Sequence, residues 1–87
     1  MQDKAAFHTR LASKNRIYIP KRVVDLHQLW EGTPVVVEIE TVDEDSVEFE
    51  TKIRSGFHIT VPKHEVDFIE AECGHLLEVT ISKIGDE

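Results

Sequence analysis

Cysteine is almost missing from this chain of 87 residues, and with Cys73 alone no internal disulfide can form. Small disulfide-held secreted scaffolds are thereby excluded. No apolar run approaches the roughly 18 residues that a spanning helix needs, and no N-terminal signal pattern is present, so the expectation is a soluble, cytoplasmic protein. The chain also lacks a nucleophile–base constellation, a glycine-rich phosphate loop and a carboxylate dyad. It is therefore read as a non-enzyme without a cofactor. Basic residues are scarce too, with 10 Lys and Arg against 17 Asp and Glu, for a net charge of −7. A total of that sign disfavours phosphate-rich partners.

The few cations are not scattered. Residues 9–22 carry Arg10, Lys14, Arg16, Lys21 and Arg22 without an acid, while residues 23–51 carry nine acids and no Lys or Arg. Residues 52–63 return to net positive charge through Lys52, Arg54 and Lys63, and residues 64–87 set seven acids against Lys83. The sign therefore alternates in blocks, and the blocks keep step with a repeat.

Sliding residues 5–45 over 47–87, an offset of 42, gives 11 identities in 41 ungapped positions, against about two or three expected by chance. Among them are Phe7/Phe49, Ser13/Ser55, Ile17/Ile59, Pro20-Lys21/Pro62-Lys63, Gly32/Gly74 and Val37/Val79. One domain spanning 1–87 is expected to hold both copies, since Thr41 to Ser46 between them is an acidic turn too short for a linker.

Each copy reads ββαβ. Alternating Phe7, Thr9 and Leu11, or Phe49, Thr51 and Ile53, predict a strand with one face inward. Ser13-Lys14-Asn15 and Ser55-Gly56 predict tight turns. A short second strand then carries Ile17 and Ile19, or Ile59 and Val61, and the pair reads as a hairpin. Pro20 and Pro62 stop that strand and suit the start of a helix. Val23, Leu26, Leu29 and Trp30 give the first helix an apolar stripe, matched loosely by Val66, Ile69 and Cys73. Gly32 and Gly74 are expected to end the helices in left-handed conformation. Val35, Val37 and Ile39, and Leu77, Val79 and Ile81, complete each copy as a strand. Trp30 is expected to be a core or barrel-cap residue, an exposed Trp30 instead marking a partner surface, and Cys73 a small core residue.

This order of signals resembles the AbrB/MazE/SpoVT family of DNA-binding domains. Arg16-Ile17, Ile19-Pro20-Lys21, Val24, Leu29, Gly32 and Val35-Val36-Val37-Glu38 carry the resemblance. The second copy repeats it through Ile59, Val61-Pro62-Lys63, Val66, Gly74 and Leu77-Glu78-Val79. The resemblance implies a mostly β fold with two short helices: a six-stranded cradle-loop barrel with pseudo-twofold symmetry, resembling two swapped-hairpin chains fused into one. RIFT-type and double-psi closures of the same repeat stay open. A monomer acting as its own pseudo-dimer is expected, with a homodimer as the alternative.

What the resemblance further implies is a transcriptional regulator that binds duplex DNA. Carried over by position, the contacts would come from Arg10, Lys14, Asn15, Arg16, Lys21 and Arg22, and from Lys52, Arg54 and Lys63. The second copy replaces Lys14-Asn15-Arg16 with Gly56-Phe57-His58, so it is the weaker reader. The rival reading is a protein-interaction or scaffold barrel that has lost DNA binding, its acidic block Glu38 to Glu50 docking a basic partner. An antitoxin-like module ranks below both, because such proteins usually carry a toxin-binding tail and this sequence stops after its last expected strand. Cys73-Gly74-His75 with His58 or His64 fits no recognised zinc spacing, so no metal is expected.

Overall fold

The computed structural model describes residues 4–84. The first repeat forms β1 (Lys4–Arg10), β2 (Arg16–Tyr18), α1 (Lys21–His27) and β3 (Pro34–Thr41). The second forms β4 (Ser46–Lys52), β5 (His58–Thr60), α2 (Lys63–Ile69) and β6 (Leu76–Lys83). The fold is mostly β with two short helices, and its ββαβ halves coincide with the repeat read from sequence. No helix among the described residues is long and apolar enough to cross a membrane.

Strand pairing departs from the expected hairpins. β1 pairs with β6, β2 with β5, and β3 with both β4 and β6, always antiparallel. Every ladder thus joins one repeat to the other, and within a repeat β1 and β2 are linked only by the isolated bridge between Ala12 and Arg16. Beyond that bridge the two strands part, β1 running along β6 and β2 along β5. The result is a four-stranded sheet, β1-β6-β3-β4, and a two-stranded ribbon, β2-β5. Their hydrogen bonds do not run on into one closed ring.

The register obeys the 42-residue offset throughout. Phe7 faces Val79, and its equivalent Phe49 faces Val37. Ile17 faces Ile59, and Glu38 faces Thr80, each residue opposite its own counterpart. A pseudo-twofold axis therefore passes through the middle of the ribbon and through the middle of the four-stranded sheet. Between them lies one core, in which Ile17, Ile59, Val35, Val37, Ile39 and Val79 are fully buried. Neither repeat can build this core alone, because each strand finds its ladder partner in the other half.

Alternation sends Glu38, Glu40, Glu48, Glu50 and Glu78 to the solvent face of the sheet. Glu38 stands directly opposite Glu48, and Glu40 opposite Glu78. Like charges in facing positions destabilise a sheet. Glu48→Lys converts one repulsive pair into an attractive one and is expected to raise stability by about 0.5 kcal/mol, read as a higher urea midpoint at low ionic strength.

The helices correct several expectations. Each spans seven residues and ends before its glycine: Gln28 (φ 53°) and Glu70 (φ 54°) are the left-handed caps. Gly32 (φ 88°) and Gly74 (φ 94°) instead occupy the third position of the turns Trp30 to Thr33 and Glu72 to His75, each closed by a backbone hydrogen bond of 3.1 and 2.9 Å. A positive φ at that position is what favours glycine there. The turns also dock, since the Gly32 N–H donates to the Ile53 carbonyl and the Gly74 N–H to the Leu11 carbonyl, both at 2.7 Å. The expected stripe splits: Val23 and Leu29 are buried, while Leu26, within α1, is 77% exposed and Trp30, beyond its early end, 66%. Trp30 is thus neither core nor cap. Cys73, expected inside, is exposed on the second turn.

Candidate nucleic-acid interface

At the ribbon, Ile17 and Ile59 point into the core, so their neighbours Arg16, Tyr18, His58 and Thr60 face outward. Arg16 lies opposite Thr60 and Tyr18 opposite His58. The Tyr18 and His58 rings meet at a centroid distance of 5.6 Å and a tilt of 48°. The His58 Nδ1–H donates to the Ser55 carbonyl at 3.0 Å, which fixes the ring. Tyr18 is not among the residues expected at the interface, although a signal for it exists: with Ile17 inward, period two places Tyr18 on the same face as Arg16.

The turns flanking the ribbon have two successive left-handed residues each, Lys14 and Asn15 in one, Gly56 and Phe57 in the other. Each turn crosses to the opposite repeat. The Asn15 carbonyl accepts the Val61 N–H at 2.8 Å, and the Phe57 carbonyl accepts the Ile19 N–H at 3.0 Å. Lys14 and Asn15 are thereby set beside Pro62-Lys63 at the start of α2, and Gly56 and Phe57 beside Pro20-Lys21 at the start of α1. The fold brings together residues that are distant in sequence.

Not all the expected contacts converge. Lys14, Asn15 and Arg16 belong to the ribbon and its turn, whereas Arg54, bridged through its backbone to His58, lies beside Glu31 and Lys52. Lys21 and Lys63 stand at the helix starts, both exposed. Lys63 is held by Asp67, with Nζ 3.1 Å from Oδ2. Lys21 makes no ion pair with Asp25, the counterpart of Asp67, or with any other group among the described residues. Arg22 is exposed on α1, near Leu26. Arg10 and Lys52 sit instead at the ends of the edge strands, on the solvent face of the four-stranded sheet. Arg10 is already engaged, its Nη1 donating to the Gly74 carbonyl at 2.9 Å, and so helps hold the second turn.

The axis through sheet and ribbon separates most of the charges. The row of sheet glutamates lies at one end of it and Lys14 and Arg16 at the other, with the core between, although the second turn holds a carboxylate, the Gly56 N–H donating to Glu31 Oε2 at 2.7 Å. Among the described residues no three His, Cys, Asp or Glu side chains converge to hold a metal ion.

No protein-family model matches the chain, and no curated protein matches it. Its fold is similar to that of PHS018 from Pyrococcus horikoshii, known from a solution structure, with 25% identity, a TM-score of 0.80, and coverage of 88% of this chain and 87% of that one.

Proposed function

We propose that this chain is a fused, swapped-hairpin barrel of AbrB/MazE/SpoVT type and a DNA-binding regulator, with the ribbon end of the molecule as its reading surface. The observation that carries the reading is the separation of charge along the pseudo-twofold axis. A net charge of −7 opposes phosphate only if the acids lie near it. Here the densest row of glutamates is on the sheet face turned away from Lys14 and Arg16. A two-stranded ribbon has the width to enter a major groove, and arginine can grip guanine or phosphate through two parallel hydrogen bonds. The exclusively inter-repeat ladders support the fused-dimer architecture, because they are the pairing that exchange of hairpins between two chains would leave behind.

The test is a titration of labelled duplex DNA at low salt. Binding is expected, and the double variant Lys14→Ala/Arg16→Ala should weaken it by about 2 to 3 kcal/mol. A blank titration at low salt discards the reading. The second reading is a protein-interaction barrel, favoured by Leu26 and its counterpart Phe68, exposed at 77% and 67% on the two helices. That reading requires the blank titration.

A further inference from the structure

The two halves share a backbone but not a surface, and one cluster of their differences falls together in space. A groove of about 510 Å³ lies between α1, the segment after it and the turn before β5. Trp30, Leu29, Val24 and Phe57 wall it, and Lys21 and Asp25 lie along it. At the equivalent positions of the other half stand Glu72 for Trp30, Ala71 for Leu29 and Asn15 for Phe57. Three replacements, all at the groove, exchange polar or small side chains for large apolar ones.

Two further asymmetries point the same way. Phe57 is held at φ 58°, a left-handed conformation that suits the equivalent Asn15 and disfavours an aromatic residue. The turn's own hydrogen bonds hold it there, the Phe57 N–H donating to the Arg54 carbonyl and the Phe57 carbonyl accepting from Ile19, so the ring is fixed between the edge of the core and the groove. The charges differ as well. Lys63 and Asp67 are bonded to each other at 3.1 Å, whereas Lys21 and Asp25, the same pair in the first half, are apart and have no ion-pair partner among the described residues. The groove therefore offers an apolar aromatic wall together with one available cation and one available anion on adjacent turns of a helix.

We propose that this groove binds a free aromatic amino acid, with its ring packed against Trp30 and Phe57, its carboxylate on Lys21 and its ammonium on Asp25. The volume is in the range of small-molecule pockets and exceeds what a single aromatic side chain fills. A zwitterion matches both charges and carries no net charge for the acidic protein to repel. The site does not depend on the DNA reading, and its test does not use DNA.

Trp30 is the only tryptophan, so its fluorescence reports on this groove alone. Titration with L-phenylalanine is expected to give a saturable change with a Kd on the order of 1 mM. Removing one charge from the probe, as in phenethylamine or 3-phenylpropanoate, should weaken binding about threefold each. Phe57→Asn installs the residue of the other half, which tolerates the same backbone, and should weaken binding about tenfold. Amide shifts in the NMR spectrum should move at Val24, Leu29 and Phe57 and stay fixed at Val66, Ala71 and Asn15. Equal binding of a singly charged probe, shifts spread over both halves, or no saturation overturns the assignment. So do groove shifts that track protein concentration without any probe, which would make a second copy the occupant.

Discussion

Ile59→Ala is expected to lower stability by about 3 kcal/mol and the melting temperature by about 15 °C. Ile59 and its partner Ile17 have no exposed surface and face each other where the pseudo-twofold axis crosses the ribbon. Truncating either removes apolar contact and leaves a cavity that the paired ribbon above it cannot collapse into without breaking register. A domain of this size has total stability of roughly 4 to 13 kcal/mol, so the loss is a large fraction of it. Since the axis makes the two positions equivalent, Ile17→Ala should cost about the same. Tyr18→Ala, one residue away but 48% exposed on the other face, should cost less than about 1 kcal/mol. Thermal and urea unfolding of the three variants check this ordering. A Tyr18 variant as damaging as the isoleucine variants would mean that the ribbon is held from its outer face.

The second large effect concerns salt. If Lys14, Arg16, Arg54 and one helix-start lysine each neutralise a phosphate, raising salt from about 50 to about 200 mM should weaken DNA binding roughly a hundredfold. Arg16→Ala should flatten the salt slope by about one unit, as the loss of one phosphate contact does. His58→Ala removes the side chain at the equivalent place across the axis and should leave the slope nearly unchanged, because the second half has no Arg there. Glu40→Gln, at the opposite end of the molecule, should change neither slope nor affinity appreciably beyond a Debye length of about 10 Å. Fluorescence anisotropy over a series of salt concentrations reads all of these. Equal effects at Arg16 and His58 would show that the two halves read DNA alike and that the lopsided charge has no functional weight.

Ion pairs stabilise this fold little. The Lys63–Asp67 contact joins side chains 84% and 65% exposed, a setting in which such pairs are worth about a few tenths of a kcal/mol. Its importance lies in what it removes from the surface, namely one cation from the second basic block, and in the contrast with Lys21, which keeps its charge available.

The repeat and its local consequences were legible in the chain of residues alone. The offset of 42, the ββαβ order, the helix starts after Pro20 and Pro62, and the inward residues of β3 and β6 all come from alternation and proline geometry, which act within a few residues. The charge blocks were legible for the same reason. Which strands pair was settled only by the folded arrangement. Alternation dictates which face a strand buries but not its neighbour, so β1 and β2 read as a hairpin when each in fact pairs across the axis. The fate of Trp30 was settled there as well. An apolar stripe assumes that the helix continues, and here the left-handed Gln28 ends it first, turning Trp30 out to line a groove. That groove is built from α1 of one repeat and a turn of the other, segments far apart in the chain that no local pattern connects.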